Sequence, residues 1–391
     1  MNPFDPADPL GIDDLLEPED LAVRATVRAW AGDRVLPYVA QWYESGELPG
    51  IRELARELGG IGALGMSLSG YGCAGASAVQ YGLACLELEA ADSGIRSLVS
   101  VQGSLAMYAV HRFGSQEQKQ NWLPRMAAGE VIGCFGLTEP DHGSDPASMR
   151  TYAKRDPGGD WVLNGRKMWI TNGSVAGVAV VWAQTEDGIR GFVVPTDSPG
   201  FSAPEIKHKW SLRASVTSEL VLDDVRLPAD AVLGEVTGLK GPLSCLSHAR
   251  YGIVWGAMGA ARSCFEAAVE YAKTREQFGR PIGGFQLTQA KLADMAVELH
   301  KGILLAHHLG RRMDAGRLRP EQVSFGKLNN VREAIEICRT ARTILGANGI
   351  SLEYPVMRHA TNLESVLTYE GTVEMHQLVL GKALTGLDAF R

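Results

Sequence analysis

The chain has 391 residues, which is more than a single hydrophobic core usually supports, so two or three domains packed together are expected. Its net charge of −7 argues against a nucleic-acid-binding protein, because a phosphate backbone must be met by an excess of Lys and Arg. With 45% hydrophobic and 21% charged residues and no apolar run near the ~18 residues of a membrane span, the composition is that of a globular protein without such a span.

The start of the chain and its cysteines point to a cytoplasmic location. Residues 1–9 lack the apolar stretch of a signal peptide and the Arg-rich pattern of a transit peptide. The six cysteines form no Cys-x-x-Cys motif and are expected to be buried thiols in a reducing compartment. Because the nine histidines form no His-Glu-x-x-His motif either, no metal site is expected.

The first third of the chain is predicted to be helical. Apolar residues recur at near-helical spacing after Pro18, and another short helix is predicted from Glu117 to Met126. The helical pattern ends near Ile132. We therefore predict an N-terminal α-helical domain over residues 1–133.

A small β domain is predicted over residues 134–237. Within Trp161–Ile170, the pair Asn164-Gly165 separates two β-prone runs, a pattern typical of a hairpin with a two-residue primed turn. Three further runs are rich in β-forming residues: Val178–Ala183, Ile189–Pro195 and Glu219–Leu222. Turn residues separate these runs, as expected for a compact β structure.

Helical periodicity returns in residues 238–391. One apolar face advances by three or four residues at a time through Leu292, Met295, Leu299, Ile303, Ala306 and Leu309. A second such face follows on the next predicted helix, so a C-terminal helical bundle is expected. The order α, β, α predicts an α+β chain that is mostly α.

A candidate base lies about twenty residues before the C-terminus, in the segment Thr368–Thr372. Glu370 is flanked there by residues that favour a turn, and a carboxylate buried in such a turn can have its pKa raised towards neutrality, as a general base requires. A solvated loop Glu beside a turn Gly would show the same spacing. The interpretation of Glu370 as a base therefore depends on other motifs.

Five motifs occur in an order that resembles the flavin-dependent acyl-CoA dehydrogenase family. They are Phe135–Pro140 with Gly143–Asp145, Met168–Asn172, Thr274–Gly279, Leu345–Ile350 and Thr368–Thr372. The resemblance implies a helical N-terminal domain, a middle β-barrel and a C-terminal four-helix bundle. It also implies FAD as cofactor, an acyl-CoA substrate, electron-transfer flavoprotein as electron acceptor, and a homotetramer.

The resemblance assigns the cofactor contacts. They are Phe135, Leu137, Thr138, Gly143, Ser144, Trp169, Ile170, Thr171, Arg275, Phe278, Gln286, Leu345, Gly346, Thr372 and Phe390. Arg275 would pair with the FAD pyrophosphate, and the turn around Gly346 would reach FAD from a neighbouring subunit. The alternative for Trp169–Thr171 is an ordinary half-buried strand, and for Arg275 an ordinary helix-end Arg.

The same resemblance assigns the substrate site. Glu370 matches the base that removes the α-proton, and Ala249, where another branch of the family carries its base, offers no carboxylate. The expected substrate contacts are Glu89, Arg96, Ser97, Ser100, Ser144, Arg250, Tyr369 and Gly371. Among these, Arg250 would lie near the CoA part of the substrate.

Substrate choice is predicted from the segment Glu89–Ser100, which resembles the branch of the family that acts on glutaryl-CoA. In that branch, the residues matching Arg96 and Ser100 hold a distal carboxylate, and a buried Arg suits an anionic tail. The alternative is an ordinary i,i+4 surface pair between Arg96 and Asp92. Two positions depart from the family pattern. Ile95 stands where the family often has Tyr, and His142 belongs to a pair that replaces the family's usual Asn/Ser-type pair.

The sequence thus predicts oxidation and decarboxylation of glutaryl-CoA to crotonyl-CoA and carbon dioxide. One alternative within the family is a dehydrogenase of neutral short or branched acyl-CoAs. Two further alternatives lie outside that activity: a non-catalytic acyl-CoA- or flavin-binding protein, and a flavin monooxygenase built on the same fold. Retention of Glu370 argues against both, because neither requires an α-proton base.

Overall fold

The fold is known from a computed structural model that describes Asp5 and residues 8–234 and 236–389. Helices precede and follow a single large β-sheet. The expected α+β, mostly α fold class is confirmed. The domain boundaries after residues 133 and 237 stay a prediction.

The N-terminal part of the described chain is helical. Its α-helices are α1 (Pro18–Arg34), α2 (Val39–Ser45), α3 (Ile51–Gly60), α4 (Ala78–Ala91), α5 (Ser93–Ser100), α6 (Tyr108–Phe113) and α7 (Gln116–Ala127). A π-helical segment, Val101–Met107, joins α5 to α6. Ser77 caps α4 by accepting a hydrogen bond from the Gln80 N–H at 3.1 Å. Helix α4 is apolar on nearly all sides and packs between α1 and a long C-terminal helix.

The central sheet is mixed. Its strands are β1 (Gly133–Gly136), β2 (Tyr152–Arg155), β3 (Trp161–Thr171), β4 (Val178–Thr185), β5 (Gly188–Pro195), β6 (Phe201–Ser202) and β7 (Thr217–Leu227). They follow the order β1-β4-β2-β3-β7-β6, and β5 pairs with β4. The Gln102 side chain attaches the sheet to the helices by accepting from the Gly133 N–H at 2.6 Å and donating to the Val131 carbonyl at 2.8 Å.

The prediction of a hairpin at Asn164-Gly165 is wrong, because both residues lie inside the continuous strand β3. Gly165 has a φ of 145° at an irregularity in the pairing with β7. A Cβ there would lie 2.5 Å from the Thr151 hydroxyl oxygen, so close packing requires the glycine. The Asn164 amide meanwhile donates to the Asp224 carboxylate on β7 at 2.9 Å.

The C-terminal part of the described chain is again helical. Its elements are α8 (Lys240–Thr274), a short hairpin of β8 (Glu276–Gln277) and β9 (Arg280–Pro281), α9 (Gln286–Asp314), α10 (Pro320–Leu345), α11 (Val356–Thr368) and α12 (Val373–Thr385). One hydrophobic core contains residues of α1, α4 and α5 together with residues of α8 to α11. The two helical regions therefore share one core.

Glycines on α8 allow α4 to approach closely. A Cβ at Gly259 would lie 2.0 Å from the Leu86 carbonyl oxygen of α4, and a Cβ at Gly252 would lie 2.9 Å from the Tyr81 hydroxyl. Because the backbone itself is the obstacle at Gly259, the two helices would have to separate to admit any side chain there.

We predict that Gly259→Ala destabilises the protein by about 1–3 kcal/mol, because the added methyl group overpacks the contact between α4 and α8. A suitable control is Gly32→Ala in α1, where an added Cβ meets no atom within 4 Å. That change should be neutral or stabilise by roughly 0.5–1 kcal/mol. Thermal unfolding of the two variants measures both effects, and equal unfolding temperatures would contradict the prediction.

Candidate active site

The candidate base lies in the turn between α11 and α12. Glu370 has a φ of 52° and Gly371 a φ of 106°, so the chain passes through two left-handed residues in succession. The Glu370 Oε2 atom is buried and has no hydrogen-bond partner among the described residues. Burial raises the pKa of this carboxyl, while the charges of Arg96, Lys327 and Arg250 act in the opposite direction.

Two cations hold the backbone of this turn. The Arg250 Nε–H on α8 donates to the Glu370 carbonyl at 2.5 Å. The Lys327 ammonium on α10 donates to the Gly371 carbonyl at 2.7 Å and to the Tyr369 carbonyl. Lys327 is buried, and burial lowers its pKa to about 7. Basic side chains from two helices thus fix the turn that carries Glu370.

A buried ion pair lies beside the turn. Arg96 on α5 and Glu89 on α4 are 1% and 0% exposed, and Arg96 Nε–H donates to Glu89 Oε2 at 2.6 Å. Arg96 Nη2 also donates to the Tyr369 hydroxyl. Burial raises the pKa of Glu89 despite the charge of Arg96. These bonds occupy two of the five N–H donors of a guanidinium, so Arg96 retains capacity for a further acceptor.

Further polar groups of α5 and α4 surround this ion pair. Ser97 lies against the Tyr369 phenol, and the hydroxyl of Ser100 is buried without a partner among the described residues. The second carboxylate oxygen of Glu89 has no hydrogen bond of normal geometry, although the Ser93 hydroxyl lies close to it. Unpaired buried polar groups are costly, which is typical of a site that binds a polar ligand.

The alternative in which Arg96 forms a surface pair with Asp92 is wrong. The Asp92 carboxylate instead accepts from Arg358 at 2.5 Å and from the Asn362 amide at 3.0 Å, both on α11. Its other oxygen accepts from the Gly94 N–H at 2.7 Å and so caps α5. Asp92 therefore anchors the start of α5, which leaves Arg96 facing inward.

Gly256 on α8 provides the space for the ion pair. A Cβ at this position would lie 2.0 Å from Glu89 Oε2 and 3.3 Å from Arg96 Nε. A larger residue would therefore displace the carboxylate that holds Arg96.

The β1 and β3 segments expected at the flavin lie side by side. The Met168 N–H donates to the Thr138 carbonyl at 2.9 Å, which brings Phe135–Thr138 next to Trp169–Thr171. Trp169 is 58% exposed with a φ of 63°, at an irregularity of the pairing between β3 and β7. It is therefore no ordinary half-buried strand residue, since an exposed indole on strained backbone is typical of a binding surface. Thr138 and Thr171 are partly buried.

A buried ion pair supports these segments. The Lys167 ammonium donates to Glu139 Oε1 at 2.9 Å and to the Leu137 carbonyl at 3.1 Å. Burial lowers the pKa of Lys167 to about 8. Burial alone would raise the pKa of Glu139. The hydrogen bond from the Arg150 N–H and the charge of Lys167 outweigh this effect and lower the pKa of Glu139 to about 2. Both groups are thus charged at neutral pH.

A third group of expected cofactor contacts lies at the far end of α8. Arg275 and Gln286 are exposed, Phe278 is 95% exposed with a φ of 52°, and Leu345 is buried at the end of α10. At Gly346 an added Cβ would meet no atom within 4 Å. Among the described residues, no hydrogen bond, ion pair or ring contact joins this group to Thr138 or Trp169.

The other expected site residues are placed as follows. Gly143 and Ser144 are exposed in the loop after β1. Thr372 caps α12 by accepting from the Met375 N–H at 3.4 Å. Phe390 lies outside the described residues.

Sequence analysis missed three residues of the site: Lys327, Gly256 and His376. Lys327 lies on the buried stripe of α10, four residues from Val323 and from Val331, and a lysine at such a position is a detectable signal. His376 packs against Gly371, and burial lowers its pKa to about 3, so it is neutral. No spacing pattern singles out Gly256 or His376.

The described ranges contain neither a candidate metal cluster nor a membrane-spanning helix. No cluster of three or more His, Cys, Asp or Glu residues suitable for a metal ion occurs in residues 8–234 and 236–389. In the same part of the chain, no helix is long and apolar enough to cross a membrane. All six cysteines are free.

Three successive family models match the chain. They are described as the N-terminal, middle and C-terminal domains of acyl-CoA dehydrogenase and match residues 17–130, 134–225 and 237–385. The mitochondrial short-chain specific acyl-CoA dehydrogenase of Homo sapiens is 38% identical over 296 residues, which is 74% of this chain and 71% of that protein.

Two solved structures from Mycobacterium smegmatis are similar to the whole chain. One glutaryl-CoA dehydrogenase is 71% identical with a TM-score of 0.97, covering 98% of this chain and 99% of that chain. A second, a glutaryl-CoA dehydrogenase in complex with FADH2, is 63% identical with a TM-score of 0.97 and full coverage of both chains.

We predict that Arg96→Met destabilises the protein by about 3–5 kcal/mol near pH 8, because it leaves Glu89 buried without its counter-charge. The loss should be smaller near pH 5.5. Without Arg96, the pKa of Glu89 in the folded protein rises further above its value in the unfolded chain. The variant therefore loses folding stability as the pH rises from the unfolded-state pKa of Glu89 to its folded-state pKa. Thermal unfolding at the two pH values measures this difference.

The matched control for this prediction is the double variant Glu89→Gln with Arg96→Met. It removes both charges and should recover much of the lost stability, with little dependence on pH over the same range. Equal losses for the single and double variants at both pH values would contradict the assignment of a buried charged pair.

Proposed function

The chain belongs to the acyl-CoA dehydrogenase family, and from this premise we propose that it oxidises glutaryl-CoA and decarboxylates the product to crotonyl-CoA and carbon dioxide. The enzyme is an FAD-dependent acyl-CoA dehydrogenase. The observation that carries the choice of substrate is the buried Arg96, held by Glu89 and Tyr369 next to the turn of Glu370. An anionic acyl tail would give this guanidinium a second charged partner, whereas a neutral tail would not.

Glu370 is the proposed base. Its carboxyl is buried, has an oxygen without a partner, and has a raised pKa, all of which favour acceptance of a proton from an acidified C–H bond. The positive charges of Arg96, Lys327 and Arg250 prevent the pKa from rising further. Glu370 is thus suited to accept the α-proton and to hold it after the transfer.

The aromatic and polar side chains of the expected cofactor site are suited to bind FAD. Trp169 and the partly buried Thr138 and Thr171 would contact the flavin ring, while Arg275 and Phe278 would contact the pyrophosphate and adenosine parts. When bound, FAD accepts the β-hydride. Because no hydrogen bond, ion pair or ring contact among the described residues joins the group at Arg275 and Gly346 to Thr138, we propose that a second subunit completes each cofactor site.

Decarboxylation follows from the position of the distal carboxylate. Once the α-proton and the β-hydride have left, the γ-carboxylate lies one bond beyond the new double bond. Loss of carbon dioxide leaves its bonding electrons in a dienolate that extends to the thioester oxygen. The proton held by Glu370 then returns to the terminal carbon to give crotonyl-CoA, and Arg96 is released from its carboxylate partner.

We further propose a homotetramer, transfer of electrons to electron-transfer flavoprotein, and a cytoplasmic location. Large apolar side chains remain exposed on or beside the C-terminal helices, namely Phe278, Leu287, Val297, Phe325, Ile350 and Leu384. Exposed apolar surface of this kind is typical of subunit interfaces. The six free cysteines favour a reducing compartment.

We predict that Glu370→Gln retains FAD and still binds acyl-CoA but reduces flavin at least ~100-fold more slowly, because the amide cannot accept the α-proton. Anaerobic stopped-flow measurement of flavin bleaching with glutaryl-CoA checks this. Reduction at a near-normal rate would show that the base is another residue, and Glu89 would be examined next.

The reaction itself is tested by incubating the holoenzyme with glutaryl-CoA and an electron acceptor and analysing the products by mass spectrometry. We expect crotonyl-CoA and carbon dioxide. Glutaconyl-CoA alone would limit the enzyme to dehydrogenation, and faster oxidation of butyryl-CoA would favour the neutral-substrate alternative. Arg96→Met should weaken glutaryl-CoA turnover by about 2–5 kcal/mol in kcat/KM and affect butyryl-CoA little.

Arg262→Met is the control for that substitution. Arg262 forms a bidentate pair with the buried Glu87 at 2.7 and 2.6 Å, away from the acyl site. Its loss should lower stability without changing the ratio of glutaryl-CoA to butyryl-CoA activity. A similar ratio in the two variants would contradict the role given to Arg96.

A further inference from the structure

Three consecutive carbonyl groups of the Glu370 turn are held by cations. Arg250 donates a hydrogen bond to the carbonyl of Glu370, and Lys327 donates to the carbonyls of Tyr369 and Gly371 on either side. Lys327 forms no ion pair with a carboxylate within the described residues. The residue is only 2% exposed, and its ammonium is supported by the two backbone carbonyls, by the Tyr369 ring 5.7 Å away and by the nearby charge of Glu370.

The position of Lys327 decides where one N–H group points. The Tyr369–Glu370 peptide is trans, as are all peptide bonds of the described chain. In a trans peptide the N–H and the C=O point in opposite directions. Because Lys327 draws the Tyr369 carbonyl towards α10, the Glu370 N–H is directed away from α10. The described chain offers this N–H no acceptor, whereas the Tyr369 N–H donates to the Ser365 carbonyl at 2.8 Å and closes α11.

The same contacts hold a strained conformation. Glu370 is a non-glycine residue at a φ of 52°, which costs roughly 1–2 kcal/mol relative to ordinary backbone. Two hydrogen bonds from one ammonium to the residues before and after it oppose relaxation of this φ. Lys327 is therefore placed to fix both the Glu370 carboxyl and the Glu370 N–H.

We infer that Lys327 is a positioning residue for removal of the α-proton: it fixes the orientation of the Glu370 carboxyl and of the Glu370 N–H, which the family resemblance makes a donor to the thioester carbonyl oxygen. The inference rests on the proposed function. A cation bonded to the carbonyl end of a peptide polarises that amide, so its N–H becomes a stronger donor as negative charge develops on the thioester oxygen. The pre-set orientation requires no rearrangement during the reaction.

Lys327 is poorly placed to be a base itself. An ammonium has three donors and no acceptor, and two of its protons are used by the Tyr369 and Gly371 carbonyls. A neutral amine taking a proton from substrate would have to turn its lone pair away from both carbonyls. The geometry thus assigns Lys327 to orientation and leaves proton transfer to Glu370.

The test uses holoenzyme and 3-oxaglutaryl-CoA, in which oxygen replaces the β-carbon. This analogue keeps the thioester, the α-protons and the distal carboxylate but has no β-hydride, so α-proton exchange with D2O reports on proton removal alone. We expect Lys327→Met to slow exchange at least ~10-fold, because a misdirected oxyanion donor loses much of its effect. FAD content and affinity for free CoA should stay within about twofold of wild type, since the contacts of Lys327 are confined to the turn.

The pH profile separates positioning from packing. The charged and titratable groups facing Glu370 are Arg96, Arg250, Lys327 and Glu89, from α5, α8, α10 and α4, and Tyr369 beside it in the turn, while His376 of α12 packs against the neighbouring Gly371. Removing the charge of Lys327 removes one influence that lowers the pKa of Glu370. The acid limb of the exchange rate should therefore move to higher pH in Lys327→Met. A role in packing alone would lower the rate at every pH without moving that limb.

Lys327→Gln and Arg262→Met complete the comparison. Lys327→Gln keeps an uncharged N–H donor on a side chain one bond shorter, and its exchange rate should fall between wild type and Lys327→Met. Arg262→Met should exchange within about twofold of wild type, because Arg262 lies outside the turn. Unchanged exchange in both Lys327 variants, or equal slowing in Arg262→Met, would overturn the inference. If wild-type protein itself fails to exchange, the proposed function is contradicted and the role of Lys327 with it.

Discussion

Burial of charge is the constraint on which the rest of the structure depends. Arg96, Glu89 and Lys327 are almost completely removed from solvent, and isolated charges in such positions would be strongly destabilising. Each is compensated by a specific partner: Arg96 and Glu89 by each other, and Lys327 by two backbone carbonyls. These partners come from α4, α5, α10 and the turn before α12, so the helices must meet in one arrangement for the charges to be satisfied.

The scaffold that permits this arrangement is a stripe of glycines on α8. Gly252, Gly256 and Gly259 lie on the face of α8 that meets α4, and a Cβ at any of them would approach an atom of α4 within 3 Å. Gly259 lets the backbones approach, and Gly256 leaves space for the carboxylate of Glu89. Close approach also brings Arg250 of the same helix to the Glu370 carbonyl at 2.5 Å. The missing side chains at these glycines therefore determine both how closely α8 packs on α4 and how the site is arranged.

The sequence predicted the elements well where periodicity is local and less well where partners are distant. The helical faces around Met295 and Leu299 and the strands after Val178 follow repeating patterns that any neighbour would satisfy. Asn164-Gly165 was misread as a turn because the reason for the glycine is Thr151, which approaches the backbone from another strand. The alternative of an i,i+4 pair between Arg96 and Asp92 could not be rejected from the sequence for the same reason, since Arg358, the partner of Asp92, comes from the distant α11. Lys327 was visible as a lysine on an apolar stripe, but its acceptors lie 42 and 44 residues away in the sequence.

The core shared by both helical regions has a consequence for the order of folding. Helix α4 is apolar on nearly all sides, and its partner α8 lies beyond the whole β region, so that the hydrogen bond from the Tyr251 hydroxyl to the Ala78 carbonyl spans 173 residues. While the chain is being synthesised, α4 leaves the ribosome long before α8 exists. Its apolar faces then remain uncovered, and contacts of such long range close slowly. The N-terminal third of the chain therefore cannot complete its core until α8 emerges, and a chain truncated before α8 would leave the faces of α4 that meet α8 uncovered.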